Sequence, residues 1–125
     1  MTEGVASYRD LKVWQQAMDL ALGIYEATAH WPSEERFGLI SQVRRASVSI
    51  ASNIAEGAAR RSTGEFIQFV GMARGSLAEA ETQLMLAERL GYLPVSDANA
   101  LLAASGDVSR MLVALSGSLT RRKNA

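Results

Sequence analysis

The stretch "SVSIASNIAEGAARRS", residues 47–62, decides the fold. Together with Leu39 and Val43 ahead of it, Ala46, Ile50, Ile54 and Gly57 form one apolar row with steps of three and four. That is the spacing of an amphipathic helix. Ser49, Ser52, Asn53 and Glu56 add polarity, and Gly57 sits in the row itself. A glycine inside a helix costs about 1 kcal/mol relative to alanine. Packing has to account for both features.

At about 100° per residue, Gln42, Arg45, Ser49, Asn53, Glu56 and Arg60 fall in a single band beside the apolar row. The following segment has a matching flank, Ser76, Glu79 and Gln83. In an antiparallel hairpin turning near Ser62, Ser49 and Asn53 come roughly level with Ala73 and Ser76. Ser49, Asn53, Glu56, Ser76 and Glu79 are therefore read as an interhelical polar ladder that fixes register. A buried amide without partners costs about 1–3 kcal/mol, so such groups are strongly position-dependent. The alternative is a solvated polar face.

Outward from this stretch, three more periodic segments appear. The first runs from about Tyr8 to Ala29, with Leu11, Trp14, Met18, Ala21, Tyr25 and Thr28 in one row and Val13, Ala17, Leu20, Ile24 and Ala27 in a second. A helix apolar over so much of its circumference has a wide core face or a further contact. Pro32 ends it, and Ser33 is expected to cap a second helix over about Glu34 to Arg60. Ser62 and Glu65 have capping-box spacing ahead of a third helix. That helix carries the stripe Phe66, Val70, Ala73, Leu77, Ala80, Leu84, Ala87, whose four-three steps are those of bundle packing. Gly91 and Pro94 break it, Ser96 can cap, and a fourth helix from about Asp97 to Leu119 places Leu101, Val108, Leu112, Leu115 and Leu119 inside.

No strand-like alternation and no repeat occurs. Four helices with short connections predict an all-α fold, an antiparallel up-down-up-down four-helix bundle. The expected layout is a flexible arm over residues 1–7, the bundle over 8–119, and a basic tail over 120–125.

The 125 residues contain no cysteine and a single histidine, His30. Thiolate chemistry is excluded, and no Glu-x-x-His pair marks a di-iron site. Glu79 and Glu81 point to different sides of their helix, no phosphate-binding glycine loop occurs, and no serine has an evident histidine base. The expectation is a protein that is not an enzyme and has no cofactor. No run of about 18 apolar residues would span a bilayer, and a cytoplasmic location with no membrane partner is expected.

Thirteen basic residues balance thirteen acidic ones, which argues against strong nucleic-acid binding. The distribution is uneven. Residues 33–63 hold Arg36, Arg44, Arg45, Arg60 and Arg61 against three glutamates, and the C-terminus adds Arg121, Arg122 and Lys123. Eleven of the thirteen basic residues are arginine, the residue suited to planar ion pairs and phosphate contacts. Arg44, Arg45, Arg60, Arg61, Arg121, Arg122 and Lys123 are thus candidate contacts to RNA or DNA; the competing role is ion pairing within or between subunits. Gly71, Gly75 and Ala78 lie almost opposite the core stripe of the third helix. Small residues there allow close backbone approach and are candidate oligomer contacts.

The segments "YRDLKVWQQA", "QVRRASVSIASNIAEG", "ARGSLAEAETQL" and "LGYL", in this order and spacing, resemble the 23S rRNA intervening-sequence protein family over about Tyr8 to Leu119. The "SNIAEG" and "GSLAEAETQL" blocks are the specific part. Ala51 stands where the family usually has proline, and Ala58 where an aromatic is usual. The family includes the accessory variability protein of diversity-generating retroelements. The resemblance implies a four-helix bundle that assembles into a ring-like pentamer. For the retroelement member it implies a basic surface that binds nucleic acid and a reverse transcriptase. The expected function is an oligomeric accessory protein associated with RNA or DNA; the alternative is an oligomeric protein-binding scaffold with no nucleic-acid role.

Overall fold

The computed structural model describes residues 7–125. The flexible arm expected over residues 1–7 therefore lies, except for Ser7, outside the described residues. Four helices carry the fold: α1 (Lys12–Thr28), α2 (Leu39–Ala58), α3 (Thr63–Arg89) and α4 (Val95–Asn124). Each packs on its sequence neighbours, and α4 returns to α1, with no diagonal contacts among the described residues. Cross-helix pairs fix the directions. Arg44 meets Thr28, Gln83 meets Gln42, and Ser105 donates to Glu81. All neighbours are antiparallel, and the chain is the expected up-down-up-down bundle.

The core follows the sequence rows closely. Val43, Ala46, Ile50, Ile54 and Gly57 of α2 face Val70, Ala73, Leu77, Ala80, Leu84 and Ala87 of α3, all buried. In α1 the inward row is Val13, Ala17, Leu20 and Ile24. The other row leaves Met18 and Tyr25 exposed, and they line an apolar groove with Leu22, Val48 and Ala51.

Gly57 explains itself at the α2–α3 hairpin. A Cβ there would lie 2.7 Å from Phe69 Cβ and 2.9 Å from Phe66 Cδ1. Only a residue without a side chain lets the first turn of α3 press on the backbone of α2. Ser62 caps α3 as the sequence predicts, accepting from the Glu65 backbone N–H at 3.1 Å while its hydroxyl donates to the Glu65 carboxylate. At the other end of α3, Gly91 adopts φ 81°. The Tyr92 N–H bonds to the Ala87 carbonyl and the Gly91 N–H to that of Glu88. This is a Schellman close, which needs the left-handed glycine.

The helix ends differ from the sequence expectation in four places. Tyr8–Asp10 is a separate 3₁₀ turn boxed by Ser7 and Asp10, and α1 starts only after an extended Leu11. α2 begins at Leu39, not Glu34, because Ser33–Glu35 forms a 3₁₀ turn and Gly38 occupies the N-cap. Ser33 caps nothing, and its hydroxyl goes to Glu34. The Glu35 carboxylate does the capping instead, accepting the Leu39 N–H at 3.0 Å and the Tyr92 hydroxyl at 3.0 Å. One carboxylate thereby ties the α1–α2 connection to the α3–α4 turn. Ser96 lies inside α4, whose N-cap is Pro94 without a side-chain cap. Finally, α4 runs through the basic residues to Asn124. Arginine and lysine are good helix formers, and no glycine or proline follows Leu119 to stop the helix.

Gly57→Ala is expected to lower stability by roughly 1–3 kcal/mol, the usual cost of overpacking, because Phe69 Cβ is fixed to its backbone and α3 itself must shift. Thermal unfolding checks this. The Glu35 carboxylate, which accepts the Tyr92 hydroxyl and repels its phenolate, together with some burial, holds Tyr92 above its ordinary value of 10.0. A raised phenol keeps its stabilising proton below its unfolded value and loses that contribution as pH rises through the folded one. An NMR titration of the Tyr92 ring should therefore show deprotonation above the ordinary value in the native chain and a return towards it in Glu35→Gln.

Candidate nucleic-acid interface

The bundle brings chain segments far apart in sequence to one end. The α2–α3 turn carries Arg60 and Arg61, and the last turns of α4 carry Arg121, Arg122 and Lys123. Lys123 reaches back to α3, its Nζ 3.2 Å from where a Cβ on Gly64 would stand. Between these segments lies a cleft of about 370 Å³. Leu11, Phe66, Leu115 and Leu119 form its apolar side; Arg60, Arg61 and Arg122 line it with Ser62, Thr63 and Ser118. The start of α3 is at this cleft, and a helix N-terminus favours anions.

The charge is polarised along the bundle axis. Among the described residues, Arg9, Lys12, Arg60, Arg61, Arg121, Arg122 and Lys123 lie towards the cleft end with Asp10, Glu56 and Glu65, seven cations against three anions. Towards the other end, Arg36, Arg44, Arg45 and Arg89 meet Glu26, Glu34, Glu35, Glu79, Glu81, Glu88 and Asp97, four against seven. Asp19, Arg74, Asp107 and Arg110 balance at the waist. Zero net charge thus conceals a dipolar molecule with a surplus of cations at one end.

The candidate arginines separate by environment. Arg44 is structural: its Nε donates to Thr28 Oγ1 at 2.7 Å, its Nη2 to the Tyr25 carbonyl at 3.2 Å, and its guanidinium stacks 4.5 Å over the Tyr25 ring. It satisfies carbonyl and hydroxyl groups at the C-terminus of α1 while remaining half-buried. Arg45 is exposed, but at the acidic end. Arg60 lies 4.8 Å over the Phe69 ring and 4.0 Å from Glu56, an exposed contact too long to neutralise it. Arg61, Arg121, Arg122 and Lys123 are exposed at the cleft end.

The polar ladder does not form as expected. Ser49, Asn53 and Ser76 are half-buried, and none of them hydrogen-bonds across the helix pair; Glu56 turns to Arg60 and Glu79 to Gln83 within their own helices. Short side chains at a solvent-reached rim do not need to span the gap. The polar bridge between α2 and α3 is made further along by longer side chains, Gln83 Nε2 donating to Gln42 Oε1 at 3.4 Å. Gly71, Gly75 and Ala78 are exposed, and a Cβ on either glycine would meet nothing within 4 Å. Among the described residues no cluster of three His, Cys, Asp or Glu could hold a metal ion, and no helix is long and apolar enough to cross a membrane.

The family model described as 23S rRNA-intervening sequence protein matches residues 9–114. The chain belongs to the 23S rRNA-intervening sequence protein family. The same fold is seen in a Bacteroides thetaiotaomicron VPI-5482 protein of the S23 ribosomal protein family, described as having unknown function, which superposes with a TM-score of 0.74 at 23% identity. The match covers 82% of this chain and 96% of that one. At that identity the likeness concerns the fold. No curated protein matches the chain. The family match ends at residue 114, so Arg121, Arg122 and Lys123 lie beyond it while Arg60 and Arg61 lie within it.

Arg44→Ala is expected to cost roughly 1–3 kcal/mol of stability, as for hydrogen bonds to a charged group. Arg44→Lys should recover little of it, since one ammonium cannot reproduce the planar two-point contact. Denaturant unfolding of the two variants measures this directly.

Proposed function

We infer that this chain is a non-enzymatic, oligomeric accessory protein that binds RNA or DNA by its phosphates. The observation that carries the reading is a cleft lined by Arg60, Arg61 and Arg122 at the cation-rich end of the bundle, with Arg121 and Lys123 in the same last turn of α4. Such a patch contacts phosphates without reading sequence, and its affinity falls with salt because each contact releases counterions. Arg44 and Arg45 leave the proposed set, one for its structural role and the other for its place at the acidic end.

Assembly is supported by two surfaces that a single bundle leaves uncovered. One is the apolar groove of Trp14, Met18, Leu22, Tyr25 and Val48, with Leu22 62% exposed. The other is the small-residue face of Gly71, Gly75 and Ala78. A ring of bundles, a pentamer in keeping with the family resemblance, would repeat the basic cleft and multiply a weak patch wherever one strand can reach several copies. A reverse transcriptase or another protein partner is a further candidate for the same assembly.

Replacing Arg60, Arg61, Arg121, Arg122 and Lys123 with alanine should weaken binding to all sequences alike. It should also reduce the slope of log affinity against log salt by roughly 0.7–0.9 for each phosphate no longer neutralised. Sedimentation of native and substituted chains should give the same oligomer. Absence of salt-sensitive binding by the native chain would favour the scaffold role; a clean monomer at low concentration would refute assembly.

A further inference from the structure

We propose that the cleft at the basic end takes an unpaired nucleotide of a single strand, with the base in the apolar pocket and the flanking phosphates on the arginine rim. This rests on the nucleic-acid reading above and adds which form of nucleic acid is bound.

A rim of cations alone would hold any phosphate backbone, duplex included. The cleft is more than a rim. Its floor is Phe66, Leu115 and Leu119, apolar surface of no use to a phosphate. A duplex keeps its base faces stacked inside and offers this floor nothing, whereas an unpaired base has a free face to bury. The volume of about 370 Å³ falls within the usual range for small-ligand sites. Phe66 is also held in place: its ring packs so closely on α2 that a Cβ at Gly57 would lie 2.9 Å from Cδ1. A fixed ring is a ready platform, since stacking a base on it sacrifices little side-chain freedom. The hydroxyl of Ser118 at the mouth can donate to or accept from a base edge, which tolerates different bases. Guanidinium groups select an anion and the floor selects a flat apolar group; a nucleotide carries both.

The test uses the full chain and four probes: a fluorescein-labelled 20-nucleotide single strand, its blunt duplex, an abasic strand of the same length, and the single strand with one 2-aminopurine. At one salt concentration the single strand should bind at least about tenfold more tightly than either the duplex or the abasic strand. The 2-aminopurine emission should change on binding. Ser118→Trp, at an exposed position on the mouth, fills the cleft and leaves every arginine in place. It should abolish the preference for the single strand while keeping duplex affinity and the unfolding temperature; Ser118→Ala, which removes only the hydrogen bond to a base edge, should reduce the preference without abolishing it. Equal, salt-sensitive binding of strand, duplex and abasic strand would overturn base insertion and leave the phosphate reading standing. No salt-sensitive binding of any probe would overturn both. The comparison of intact with abasic strand depends on no variant, so a Ser118→Trp chain that fails to fold does not shield the proposal.

Discussion

The close approach of α3 to the backbone of α2 at Gly57 is the contact on which the rest depends. Phe66 and Phe69 occupy the space a side chain would take, so the two helices converge where the chain reverses. The turn between Ala58 and Thr63 is short, and Arg60 and Arg61 lie exposed on it. A packing constraint in the core thus becomes a charge arrangement at the surface. The ring of Phe66 belongs to both: one part presses on Gly57, another lines the cleft.

Placing seven cations at one end carries self-repulsion, but these groups are exposed and salt screens them over roughly 8–10 Å. The carboxylates are used differently. At the far end Glu35 holds two donors, the Leu39 N–H and the Tyr92 hydroxyl, and so joins both inter-helix connections. Arg44 performs a similar service for the end of α1. Position in the bundle, not residue type, separates an arginine that closes a helix from one left exposed at the cation-rich end. That distinction makes zero net charge compatible with a nucleic-acid surface, because attraction over a Debye length depends on the local surplus.

Much of the bundle was legible in the sequence. The rows on α2 and α3 lie on the buried faces, since their three-four spacing follows directly from helix geometry, and Ser62 with Gly91 marks the ends of α3. What remained hidden depended on contacts between segments. The start of α2 at Leu39 is set by Glu35 and Tyr92, 57 positions apart; nothing in "PSEERFG" alone rules out a helix from Glu34. The continuation of α4 was missed because apolar spacing stops at Leu119, although "TRRKN" contains no breaker. Ser49 and Asn53 suggested a ladder by their band, yet side-chain length decided the matter in favour of Gln42 and Gln83. The cleft draws on α2, α3, α4 and Leu11, and no single window of sequence contains it. The one available signal was charge: Arg60, Arg61, Arg121 and Arg122 all fall at helix ends that an up-down bundle must bring together.

The central claim is that nucleic acid is held at the cation-rich end and nowhere else along the bundle. Hydrogen exchange followed by mass spectrometry, with and without a saturating single strand, tests it most directly because it reads every segment at once. Protection is expected in peptides covering residues 59–66 and 115–124, with the segments 30–40 and 88–97 unchanged. Protection concentrated at those latter segments, or spread evenly over the helices, would contradict it.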